Sequence, residues 1–225
     1  MHIEIVDSLR CPSPHEETWL VASVTRFEGR DIVEGALGCP VCRRQFAVRH
    51  GEVDFTGPEA DAVDAGGRAR ATPVGADLGG APPDEEELLR ARALLALADG
   101  GGLVLLGGEH ARMAAVLEDE AQVMPLLLNA PAWASGGVRP PSAIRIADGL
   151  PVAAGALRAA WLDEATASRA ATVRAVVRAL RTGGRLVAPV TAPLPDGARE
   201  LARDAREWVA ESSGAASAPV SLRRR

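Results

Sequence analysis

The sequence predicts an α/β protein in two unequal parts, a small β-rich N-terminal module and a larger layered α/β domain. Three observations carry this. All three cysteines and all three phenylalanines fall within residues 1–55, among short β-like runs. Residues 56–83, TGPEADAVDAGGRARATPVGADLGGAPP, are rich in Gly, Ala, Pro and Asp and lack a sustained apolar period, so they read as a flexible linker. Residues 84–225 alternate helix and strand signals, the pattern of helices layered on a sheet. The linker reading has a direct consequence. Trypsin should cut the free chain first at Arg68 or Arg70; a first cut inside 84–225 would mean that the boundary is misplaced.

Within 84–225 each element has its own signal. DEEELLRARALLALA opens with Asp84 as an N-cap, acidic residues in the first turn and Leu88, Leu89, Ala91 and Leu95 at helical spacing. A first strand is expected at Leu103–Leu106, followed by a helix from about Ala111 to Glu118. Further strands are expected at 123–129, 142–147, 157–162 and 185–190. A long helix from about Ala165 to Arg181 should end at the TGG that follows it. A helix near Gly197–Asp204 should lead to two last segments, REWVAES and APVSLRRR, able to pair as a terminal hairpin across SGAAS.

Composition excludes several function classes. Hydrophobic residues are 47% of the chain, enough for a real core, but aromatics are only 3%, so the core must rest on Ala, Val and Leu. Every basic residue is Arg, and the net charge of −5 argues against broad nucleic-acid binding. The one basic cluster, Arg223–Arg225, reads as a solvated end. No apolar run approaches the ~20 residues that span a bilayer, and MHIEIVDSLR carries no cleavable leader signal. A cytoplasmic protein is expected, with peripheral docking to a membrane complex still open. In a reducing compartment, clustered cysteines suggest metal before disulfide.

The N-terminal cysteines have metal-ligand spacing. Cys39 and Cys42 form a CxxC, whose two thiolates can reach one Zn²⁺ from a tight turn. Cys11 has the same Cys-Pro opening, but Pro14 stands where a second CxxC would place its cysteine, and His15 is the next residue. Imidazole and thiolate both ligate zinc, so Cys11, His15, Cys39 and Cys42 are the candidate set. The alternative is a ribbon without metal that keeps three ordinary cysteines. SLRCP at 8–12, GCPVCRRQFAV at 38–48 and HGEVDF at 50–55 resemble the Trm112-like zinc ribbon. The resemblance implies a β-rich zinc-ribbon-like module around a structural zinc, of a kind that binds or activates methyltransferase domains.

The C-terminal part is similar to the class I, S-adenosylmethionine-dependent methyltransferases. The matching pieces, in order, are GGLVLLGGEHARM, IRIADGLPVAAGALRAAWLDEA and VVRALRTGGRLVAPV. The resemblance implies a Rossmann-like, doubly wound, mostly parallel sheet with an antiparallel terminal strand. It also implies a cofactor site at the turn after the first strand, with Gly107, Gly108, Asn129 and Asp148 in the binding positions. The site departs from the pattern in two places. Glu109 and His110 put side chains where the turn needs close backbone approach. Asn129 stands where a carboxylate would hold the ribose hydroxyls with charge-assisted bonds. Asp148 fits, although Asp-Gly is also a common turn pair.

No catalytic constellation emerges. His110 reads as structural, Asp163 and Glu164 as charges at a helix N-terminus, and Trp133, Trp161 and Trp208 as packing residues. The expectation is a non-catalytic interaction or scaffold subunit of a larger assembly, with protein partners, a structural zinc and a degraded cofactor pocket. The alternatives are an active S-adenosylmethionine-dependent methyltransferase, or a methyltransferase-like regulator that still binds the cofactor.

Overall fold

The computed structural model describes residues 1–57, 83–135 and 141–214, so the expected linker lies almost wholly outside the described residues. The elements, in chain order, are α1 (Ile3–Val6), β1 (Val21–Glu28), β2 (Asp31–Gly38), β3 (Gln45–Arg49), β4 (Glu52–Asp54), α2 (Glu85–Leu94), β5 (Leu103–Gly107), α3 (Ala114–Ala121), β6 (Met124–Leu128), β7 (Ala143–Arg145), β8 (Leu157–Trp161), α4 (Glu164–Ala167), α5 (Ala170–Ala179), β9 (Leu180–Pro189), β10 (Ala198–Arg203) and β11 (Glu207–Ser212). A 3₁₀ turn, Gly108–Met113, joins β5 to α3.

The described strands form one sheet in the order β1-β2-β3-β4-β7-β6-β5-β8-β9-β11-β10. From β7 to β9 every pair is parallel, and β11 enters antiparallel between β9 and β10. This is the expected Rossmann-like class: the chain winds outward from β5 to β7, returns to β8 and winds the other way. That reversal leaves a crevice beyond the carboxyl ends of β5 and β8, where doubly wound sheets bind their ligands. The central strands are buried on both faces, which is why LVLL and LRAAW read as continuous apolar runs. Their period of two still sorts them: Leu103 and Leu105 pack with α5 and the N-terminal strands, whereas Val104 and Leu106 pack with α2 and α3.

The N-terminal β-rich region extends the same sheet. β1 to β4 form an antiparallel run, and β4 pairs in parallel with β7 through Val53 and Ile144. Arg145 holds Glu52 through two hydrogen bonds of 3.0 and 3.1 Å across that seam. Leu9, Leu37 and Val53 share one buried cluster with Ile144, Leu150 and Val152.

Several elements differ from expectation. The long helix breaks: α4 ends at Ala167, Arg169 is extended and α5 starts at Ala170. Its end is Ala179, so TGG is not a helix cap. Gly183 takes φ +75°, and a Cβ on Gly184 would lie 2.9 Å from the carbonyl oxygens of Arg158 and Arg181. The two glycines thus form the kink by which β9 enters the sheet. The helix expected near Gly197–Asp204 is strand β10, and the terminal hairpin is β10–β11, one segment earlier than expected. Asp204 fixes its turn by accepting from the amides of Arg206 and Glu207 at 2.7 and 2.8 Å. The APVSLRRR segment lies outside the described residues.

Candidate functional site

The described residues build two candidate sites, a Cys/His cluster in the N-terminal region and a cleft at the sheet's carboxyl edge. Cys39 and Cys42 lie in the turn between β2 and β3. That turn is closed by Cys39 N–H to Arg44 O (2.8 Å) and Arg43 N–H to Cys39 O (2.9 Å), with Arg43 in the left-handed region at φ 61°. Cys11 comes from the loop before β1, and His15 folds back beside it. His15 Nε2 is 3.2 Å from Cys11 Sγ and 3.3 Å from Cys39 Sγ, and Cys11 Sγ is 3.7 Å from Cys42 Sγ. All four donor atoms lie within 4.8 Å of one another.

A tetrahedral zinc with ordinary bond lengths would set S···S near about 3.8 Å and N···S near about 3.6 Å. Both the donor set and the spacing are therefore compatible with a structural zinc, and His15 stands in the cluster where Pro14 rules out a second CxxC. The same crowding spreads the titrations apart. Burial pushes the Cys11 thiol up. Burial also opposes the Cys42 thiolate, but hydrogen bonds from the Arg44 amide, Ser13, Cys39 and His15 outweigh it and bring Cys42 down to about 6. The His15 imidazole is raised by its bond to Glu16 O and by Cys42.

The second site is a cleft of about 440 Å³ beyond the ends of β5 to β8; Gly108, Glu109, Asn129, Asp163, Arg169 and Thr172 are among its lining residues. Gly107 and Gly108 do make a close-approach turn, but a side chain fills it. Asp163 Oδ2 accepts from the Glu109 amide at 3.1 Å, and a Cβ on Gly108 would overlap the Asp163 carboxylate. Asp163 Oδ1 accepts from the Thr166 amide (2.9 Å) and hydroxyl (2.6 Å), capping α4. The carboxylate thus has three donors and holds the β5 turn to the β8 exit.

Asn129 is similarly occupied. At φ 49° it follows β6, donates through Nδ2 to Ile146 O (3.2 Å) and accepts from Ile146 N–H through Oδ1 (2.8 Å). Its amide completes the pairing between the ends of β6 and β7. Asp148 is exposed in the following turn and is not among the residues lining the cleft. Of the four residues in cofactor-binding positions, the cleft lining includes Gly108 and Asn129.

His110 faces another neighbourhood. Its ring stacks on Trp161 with centroids 4.2 Å apart and planes at 17°. Trp161 Nε1 donates to Glu207 at 2.5 Å, and Glu207 also binds Arg90. Burial pushes the His110 imidazole below its ordinary value, against the pull of Glu207 and Asp163. The unfolded chain takes up this proton near about pH 6.5. His110 therefore leaves stability intact above that pH and removes it as pH falls from there toward the lower folded value. His110→Phe should flatten this acid-side loss in urea melts from about pH 7 to about pH 5. An unchanged slope would show that His110 is not its source.

The remaining candidates have packing roles. Glu164 accepts from the Thr191 hydroxyl at 2.6 Å, and buried Trp208 donates to Ala192 O at 2.8 Å. The Trp133 side chain lies outside the described residues. Two residues of the cleft were not read as part of it from the sequence. Asp163 closes the turn, although Asp163 followed three residues later by Thr166 is legible as a cap. Thr172 was not singled out at all.

No protein-family model matches the chain, and no curated protein matches it. Among solved structures, the chain is similar to the geranyl diphosphate C-methyltransferase of Streptomyces coelicolor A3(2), at 18% identity over 45% of this chain and 43% of that one, with a TM-score of 0.35. It is similar to the antibiotic-resistance methyltransferase Kmr, at 17% identity over 56% of this chain and 93% of that one, with a TM-score of 0.37. A putative sarcosine dimethylglycine methyltransferase from Galdieria sulphuraria gives 17% identity over 46% of this chain and 44% of that one, with a TM-score of 0.35. The chain thus spans less than half the length of the first and third. No helix among the described residues is long and apolar enough to cross a membrane.

Proposed function

We propose that this chain is a non-catalytic interaction or scaffold subunit, in which a zinc-stabilised ribbon of residues 1–55 is carried on a methyltransferase-like body. One observation carries the reading: the Asp163 carboxylate sits on Gly108 and takes the Glu109 amide, the close-approach turn a nucleoside cofactor would need. A cofactor carboxylate brought there would meet Asp163 and Glu109 with like charge in a partly desolvated cleft. The commitment of Asn129 to Ile146 supports the same reading, because the ribose would lack a charge-assisted acceptor, a loss of about 1.5–3 kcal/mol. Zinc is held by Cys11, His15, Cys39 and Cys42 and acts as a structural cross-link between the loop before β1 and the β2–β3 turn. The work of the molecule is then done with protein partners, and its site of action is cytoplasmic.

A second reading, an active methyltransferase or a cofactor-binding regulator, draws support from the open cleft at the topological switch point. Calorimetric titration of the full chain with S-adenosylmethionine separates the two. The first reading expects no saturable heat at sub-millimolar ligand, and a dissociation constant in the low micromolar range would put the transferase first.

A further inference from the structure

The buried polar residues among the described ones are Asp31, Arg158, Thr166, Thr172 and Ser212. Arg158, Thr166 and Ser212 use their side chains in hydrogen bonds, and Asp31 also has a partner. Thr172 does not: it is 3% exposed, lines the cleft, and its hydroxyl has no hydrogen-bond partner among the described residues. The hydroxyl is not a sealed, unpaired atom of the interior: it opens to the cleft and can bond a group held there.

The surroundings of Thr172 define that group. Thr172 is the third residue of α5, a helix of ten residues whose N-cap, Arg169, provides no side-chain cap. The amides of Ala170, Ala171 and Thr172 therefore lack a capping acceptor, and the helix dipole favours negative charge there. Arg169 lines the same cleft. It donates through one guanidinium nitrogen to Ala147 O and makes no ion pair with a described carboxylate. The other arginine among the described lining residues, Arg145, is paired with Glu52.

We propose that the α5 end of the cleft is an oxyanion subsite, binding a carboxylate or phosphate group through the Thr172 hydroxyl, the first-turn amides of α5 and the Arg169 guanidinium. The far side restricts the rest of the ligand. Asp163 is saturated by its three donors and Glu109 is exposed at the β5 turn, so both disfavour a second anionic group. The ligand class is a small molecule with one oxyanion and a neutral or cationic remainder. The subsite uses α5 and not the β5 turn, so it stands whether or not a nucleoside binds.

The test is an amide-detected NMR titration of the full chain with sodium phosphate and, separately, sodium acetate, against sodium chloride at matched ionic strength. Saturable shifts at Ala170, Ala171 and Thr172 are expected at up to about 10 mM. The tighter anion identifies the phosphate or the carboxylate source. Thr172→Val and Arg169→Gln should each weaken binding about fivefold or more, and Glu109→Gln should tighten it. The spectra of the variants report their folding directly. Shifts equal to those of chloride, or unchanged binding by a folded Thr172→Val, would overturn the proposal.

Discussion

Cys39→Ser should destabilise this protein by about 4 kcal/mol or more, and chelation of the wild type should reproduce the loss. Cys39 is 3% exposed, so the substitution buries a hydroxyl where the sulfur stood and, on the proposed zinc reading, removes a ligand. The damage extends beyond the ribbon. Cys39 directly follows β2, and β2 to β4 carry the sheet to β7. His15→Ala should cost less, because His15 is half-buried and lies on a loop. Metal analysis of protein purified without chelator should find one Zn²⁺ per chain. Metal-free protein whose thermal midpoint is unmoved by Cys39→Ser would contradict this account.

Arg158→Met should cost about 3–5 kcal/mol in urea unfolding. Arg158 sits in central strand β8 at 7% exposure and donates to the carbonyls of Ala96, Gly100 and Gly101. Its stem packs against Gly102, where a Cβ would lie 3.2 Å from Arg158 Cβ. Methionine fills the volume but leaves these carbonyls without a donor. Arg158→Lys should recover only part of the loss, since a single ammonium cannot span the positions reached by a planar fork. Full recovery by Lys, or a loss below about 1 kcal/mol, would mean that the Ala96–Gly102 loop resolvates at little cost.

The legible parts of the sequence were those determined locally. Asp84 is the N-cap that its position before the acidic turn suggested, and the structure adds Glu87 as its reciprocal partner; the runs at β5, β6 and β8 are apolar because both faces are buried. Where tertiary pairing decides, local pattern failed. Residues 198–203 have enough charged and small residues to read as a helix, yet they form an edge strand because β11 offers a partner and Asp204 makes the turn. The seam between β4 and β7 was invisible, because Glu52 and Arg145 meet across 93 residues of chain.

The sites divide in the same way. Spacing and ligand chemistry together singled out the four residues of the Cys/His cluster. In the cleft, Glu109 and Asn129 were legible as departures from a binding pattern, but what satisfies the turn was not. Asp163 reaches Glu109 across 54 residues, and only the sheet order brings β5 and β8 side by side.

The most direct test of the central claim is a crystal structure grown with millimolar S-adenosylhomocysteine. The account predicts Asp163 on the Glu109 amide, Asn129 on Ile146 and no nucleoside in the cleft. An ordered nucleoside lying across Gly107 and Gly108, with Asp163 swung away from the turn, would contradict it.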